Sequence, residues 1–122
     1  MRRYLSQRVI KMDKIDTINK GFSRNLNELM QFPKEGIFST VLAKSSKYNH
    51  TLMCLAKGTD IDTHTSTKAG AVVVLKGKGT FKLFDQKIEM KPGMFIFMPS
   101  NAPHSLYAEE DLAILLLLTE DI

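Results

Sequence analysis

A chain of 122 residues, 43% apolar and 25% charged, has the length and composition of one globular domain with a single sizeable core. The formal charge of +4 is confined to residues 1–11, where Arg2, Arg3, Arg8 and Lys11 meet no acid, while basic and acidic residues balance in the rest of the chain. A nucleic-acid footprint needs basic residues clustered on the folded body, so no nucleic-acid partner is expected.

In chain order, the basic stretch 1–11 reads as a solvated tail. No apolar core follows its charges, so no secretory leader is expected. Met12, Ile15 and Ile18 have loose helical spacing that Gly21 interrupts, and residues 25–30 allow one more helical turn before Pro33. Residues 1–30 are therefore expected to form a basic tail and a short helical arm, and residues 31–122 a separate β domain. From Gly36 onward short strand-like runs recur about every ten residues: IFSTVLA (37–43), HTLMCLA (50–56), DTHTS (62–66), AVVVLKG (71–77), GTFKLF (79–84), KIEM (87–90), GMFIFMP (93–99), HSLYA (104–108) and LAILLLL (112–118). Turn sequences separate them, such as KGTD, KGKG, FDQ and PSNAP. Many short strands at even spacing predict an all-β sandwich or barrel.

Phe81 and Leu83 alternate with Thr80 and Lys82, giving one buried and one wet face. GMFIFM and LAILLLL do not alternate and need cover on both faces, which predicts a homodimer. LAILLLL is far shorter than the roughly 20 residues of a membrane helix, so no membrane partner is expected. The single Cys54 permits no internal disulfide and fits a reducing, cytoplasmic setting; within TLMCLA it reads as a buried, inert thiol.

Two spacings carry more information. Gly58 is followed after five residues by His64, and then by LKGKGTFKL; Gly93 is followed after five residues by Pro99, then Asn101 and His104. This order resembles the two motifs of the cupin superfamily, G-x5-H-x-H-x3,4-E-x6-G and G-x5-P-x-G-x2-H-x3-N, over residues 36–118. The resemblance implies a double-stranded β-helix, or jelly-roll barrel, behind a short N-terminal helical arm. It also implies a homodimer and a small molecule or metal inside the barrel. Asn101 stands where the family prefers glycine; asparagine tolerates the left-handed backbone better than most residues. Of the family's four metal-ligand positions, His64 and His104 match. Ser66 occupies the second histidine position and Gly70 or Ala71 the acidic one, and Ala108 ends the second motif where asparagine is usual.

Two imidazoles are fewer than a catalytic metal usually takes. If a turn at Gly58 folds 50–56 back on 60–66, His50 falls near Ser66 and faces the same way as His64, so His50, His64 and His104 could hold Fe, Mn, Ni or Zn. Asp62, two residues before His64, could ligate or orient it; Ser66 could contact a ligand.

The primary reading is a cupin barrel that binds a small molecule, with or without a histidine-held divalent metal. The alternative is a metal-dependent dioxygenase, isomerase or decarboxylase. A third reading, metal-free acid–base chemistry with His64 and Asp62 as base and Tyr107 as acid, is opposed by spacing. Tyr107 lies three residues after His104 and so on the opposite face of a regular strand.

Overall fold

The computed structural model describes the backbone of residues 8–11 and the whole of residues 20–120. The proposed helical spacing of Met12, Ile15 and Ile18 lies outside the described residues. Within them the chain forms β1 (Arg8–Lys11), one helical turn α1 (Leu26–Leu29), β2 (Ile37–Lys44), β3 (Tyr48–Leu55), β4 (Asp60–His64) and β5 (Ala69–Lys76). Then come β6 (Gly79–Leu83), β7 (Gln86–Met90), β8 (Phe95–Met98), β9 (His104–Ala108) and β10 (Leu112–Thr119). One sheet has the order β1-β2-β3-β10-β5-β8 and the other β4-β9-β6-β7. Among the described residues the elements are strands apart from α1 and the helical Lys20, as the run spacing predicts for residues 37–118. No helix among the described residues is long and apolar enough to cross a membrane.

Residues 8–11 depart from the expected free tail: their backbone pairs parallel with β2, Arg8 opposite Phe38 and Lys11 opposite Val41. The turn predicted at 25–30 forms. Asn25 caps it, its Oδ1 accepting from the Asn27 N–H at 3.0 Å, and Met30 leaves it in an extended conformation.

The two sheets enclose one core. Ile37, Leu55, Val72, Val74, Ile96, Met98, Leu112 and Ile114 of the larger sheet meet Ile61, Phe81, Met90, Leu106 and Ala108 of the smaller one. Alternation decides the rest. Val72 and Val74 point inward, so Ala71, Val73 and Leu75 point outward. On that outer face Phe38, Leu52, Cys54 and Ala113 form a second buried cluster, covered by Leu29, Met30 and Phe32 just before β2. Cys54 is fully buried there, and loss of solvation pushes its thiol pKa up against an opposing hydrogen bond with the Gln31 backbone; the thiol is held in its unreactive form, as its apolar neighbours imply.

Candidate functional site

β4 and β9 run antiparallel, with Ile61 opposite Leu106 and His64 opposite His104. Three steps along β4 thus match two along β9. Residues three apart on a regular strand face opposite sides, but this bulge turns His64 to the same side as the buried Ile61. Directly paired residues share a face, and the imidazoles of His64 and His104 meet edge-on, with centroids 4.2 Å apart and planes at 61°.

Each ring is fixed by its own strand end. Nδ1 of His64 lies 2.9 Å from the Asp62 carbonyl oxygen, and Nδ1 of His104 lies 2.9 Å from that of Ala102. A carbonyl only accepts, so both Nδ1 atoms donate, and in the neutral rings both Nε2 atoms carry a lone pair. Burial pushes the His104 pKa below the usual histidine value; the bond to Ala102 opposes this and the adjacent His64 adds to it. His104 therefore favours the neutral form that leaves Nε2 an acceptor. Beneath it the ring of Phe81 lies nearly parallel, at 10° and 5.8 Å.

The loops behind the pair are stitched together. The Asn101 N–H donates to the Ser66 carbonyl at 2.7 Å, and the Ser100 hydroxyl donates to the Thr67 carbonyl at 2.6 Å. Asn101 does adopt the left-handed conformation, with φ of +67°. The Ser66 hydroxyl accepts from the Lys68 N–H at 3.1 Å, so its oxygen shapes its own turn while its proton is left to donate.

Two sequence expectations are corrected. First, β3 and β4 form no hairpin. The Gly58 N–H donates to Ala108 and the Ala108 N–H to Thr59, so the chain crosses at Gly58 from one sheet to the other. β3 instead pairs with β2 and β10, which sets His50 opposite Ala43 and Leu117. His50 shares a strand face with Leu52 and Cys54, and that is the outer face of the larger sheet. It does not join His64 and His104. Second, Asp62 orients His64 through its main-chain oxygen, and its side chain is exposed. Tyr107 is exposed on the far side of β9 from His104, as its spacing predicts, so it is no acid for the pair.

A resident transition metal does not fit this donor set. Among the described residues no three His, Cys, Asp or Glu side chains gather in reach of one ion. The acidic position is vacant, and a Cβ on Gly70 would lie 2.7 Å from Leu118 Cδ2 and 2.9 Å from Met98 Cε, flexible side-chain ends that a larger residue would have to displace. The nearest neighbours of that position are apolar side-chain ends. No sequence pattern announces that packing or the Phe81–His104 stack; both depend on which strands become neighbours.

The profile of the cupin domain matches residues 51–119, more than half of the chain. The chain belongs to the cupin family. Among solved structures this cupin is similar to a conserved protein of unknown function from Streptococcus pyogenes, at 25% identity and a TM-score of 0.78, over 91% of this chain and 97% of that one. A cupin 2 conserved barrel domain protein from Leptotrichia buccalis is 30% identical with a TM-score of 0.74, covering 79% of this chain and 47% of the larger protein. A cupin superfamily protein from Desulfitobacterium hafniense shares the fold at 21% identity and a TM-score of 0.75, over 79% of this chain and 88% of its own. No curated protein matches the chain.

Proposed function

We propose that this cupin binds a small molecule at the His64–His104 end of its barrel, with the two Nε2 atoms as its polar anchors and no resident metal. The supporting observation is that both Nδ1 atoms are committed to carbonyls. Two adjacent acceptors are then left, and they need a hydroxyl, an N–H group or water to bond. Partly buried Leu83, opposite His104 on β6, sets an apolar side chain beside these polar atoms, a combination common in ligand sites. Ser66 offers its hydroxyl proton as a further contact.

Ligand-observed NMR with small alcohols, phenols and amides tests this. His64→Ala and His104→Ala are each expected to weaken the fragments that bind by about three- to tenfold, the worth of one neutral hydrogen bond. Fragments that bind the double variant as tightly as wild type would sink the reading. Elemental analysis of protein purified without chelator should find Fe, Mn, Ni and Zn well below one equivalent. A full equivalent that disappears in His64→Ala would replace the metal-free anchors with a metal centre.

We also propose that the uncovered part of the larger sheet's outer face meets a second copy. Phe95 and Phe97, on the edge strand β8, are 63% and 56% exposed. They wall a groove of about 360 Å³ whose floor is Ala69, Gly70 and Ala71, with Leu117 along its length. Protruding rings and a small-residue floor on one patch make it complementary to itself, the requirement of a two-fold interface. His50 and Thr119 are its polar members and no Asp, Glu, Lys or Arg lines the groove, so it offers little to a highly charged partner. Phe95→Glu with Phe97→Glu is expected to turn a dimer into a monomer by light scattering; an unchanged dimer would place the interface elsewhere.

A further inference from the structure

We propose that Asn49, on the sheet facing the histidine pair, is a second binding residue of the barrel site. The ligand it completes is a small hydroxy acid, with the hydroxyl on the histidines and the carboxylate on Asn49. This rests on the small-molecule reading of the His64–His104 pair.

The strand registers put Asn49 inside the barrel. Asn49 lies opposite Leu118, Leu118 opposite Gly70, and Gly70 opposite Met98 of the core. Directly paired residues share a face, so this row points inward. Thr51 lies opposite Leu116, which also packs on the core, while His50 between them points outward. On β10, β5 and β8 the rows of Asn49 and Thr51 hold only apolar residues and Gly70. The two polar side chains on β3 interrupt an otherwise apolar wall.

The interruption falls at the histidine end. Gly70 and Met98 border the two loops stitched by the Asn101–Ser66 and Ser100–Thr67 bonds. Those loops run from His64 to β5 and from β8 to His104. The larger sheet contains the order β3-β10-β5-β8 and the smaller is β4-β9-β6-β7, and each strand of one is joined directly to the strand at the same place in the other. β3 thus lies across the barrel from β4, and β10 across from β9. Thr51 stands seven residues before the crossing at Gly58 and His64 six after it, so they reach similar heights. Facing sheets stand about 10 Å apart, so side chains of both walls can touch one small molecule.

The two walls offer opposite chemistry. The Thr51 hydroxyl donates to Asn49 Oδ1 at 2.9 Å, which fixes the amide and leaves both Nδ2 hydrogens to donate. Lys44, opposite Asn49 on β2, adds a positive charge at the same corner. His64 and His104 present acceptors, so one wall calls for a hydroxyl and the other for an anionic oxygen. A hydroxy acid satisfies both at once.

γ-Hydroxybutyrate and n-butanol are the probes, since they share the chain and the hydroxyl and differ in the carboxylate. Wild type is expected to bind γ-hydroxybutyrate more tightly, measured by chemical-shift titration. Asn49→Asp is the deciding variant: it keeps an oxygen for the Thr51 hydroxyl and replaces the two donors with a negative charge. It is expected to weaken γ-hydroxybutyrate by about ten- to hundredfold, the range of a hydrogen bond to a charged group, and to leave n-butanol and the melting temperature unchanged. No preference for γ-hydroxybutyrate in wild type, or undiminished affinity for it in Asn49→Asp, would overturn the role of Asn49 even if His104→Ala still lost n-butanol. A melting temperature several degrees lower, with both probes weakened alike, would make the Asn49–Thr51 pair a structural clasp instead. γ-Hydroxybutyrate binding that Asn49→Asp loses but the double variant His64→Ala, His104→Ala keeps in full would overturn the histidine site, and the two-ended ligand with it.

Discussion

Gly77→Ala is expected to destabilise the protein by about 3 kcal/mol or more, from left-handed strain of about 1–2 kcal/mol plus a clash that the backbone cannot easily relieve. Gly77 has φ of +92° at the end of β5. A Cβ there would run into the carbonyl of Asp111 and lie 2.9 Å from the Cα of Leu112. Neither neighbour can yield cheaply. Leu112 is fully buried, and the Asp111 carboxylate accepts from the Lys57 N–H at 2.9 Å. The adjoining Lys78 carbonyl accepts from Glu109 and Glu110 at 3.0 and 3.1 Å, which clamps the β5–β6 turn to the β9–β10 connection. Gly58→Ala is the control: φ is +90°, but no atom lies within 4 Å of its Cβ, so it carries the conformational cost alone. Urea unfolding of the two variants separates the effects. Equal losses at both positions would show that the approach of Asp111 to Gly77 is not tight.

That turn was marked in the sequence by KGKG, and most of the fold was legible in the same way. Gly58, Gly77 and Gly93 all adopt positive φ at strand ends, where the family-like spacing put turns. Alternation told Phe81 and Leu83 from Lys82 correctly, because a strand's period does not depend on its partners. Partners do decide the rest. His50 looked inward only on the assumption that β3 folds back on β4; pairing with β10, a strand some sixty residues away in sequence, set it on the opposite side of the larger sheet. A bulge is equally silent in sequence. Regular spacing would give Ile61 and His64 opposite faces, and Asp62 and His64 one face; the extra β4 residue reverses the first relation and leaves Asp62 only its carbonyl. The doubly apolar LAILLLL is explained in part by position. β10 lies between β3 and β5 near the middle of its sheet, with Ile114 and Leu116 in the core and Ala113 under the arm.

Phe81→Ala is expected to destabilise by about 3–5 kcal/mol, the range for truncating a fully buried phenylalanine. Its effect on the site should exceed that of any neighbouring core change. Phe81 lies opposite Ile88 on one side and Leu106 on the other, so its ring sits at the centre of the smaller sheet's inner face. Its removal leaves a cavity that flanking strands, held by their own ladders, cannot collapse to fill. The nearly parallel contact with His104 means that the same cavity opens beneath an imidazole otherwise held by the bond from Nδ1 to Ala102 and the edge-on contact with His64. His104 should then sample more than one orientation, and its Nε2 should lose register with that of His64. Phe81→Leu retains most of the apolar volume and should cost about 1–1.5 kcal/mol, yet it too lacks a flat face for His104. Chemical unfolding and the imidazole NMR signals of His104 test both variants. If Phe81→Leu keeps the wild-type His104 signals and fragment affinity, then volume alone supports the imidazole and the stacking contact contributes nothing. If it broadens those signals while the protein stays folded, the aromatic face of Phe81 is what aims His104 at a ligand.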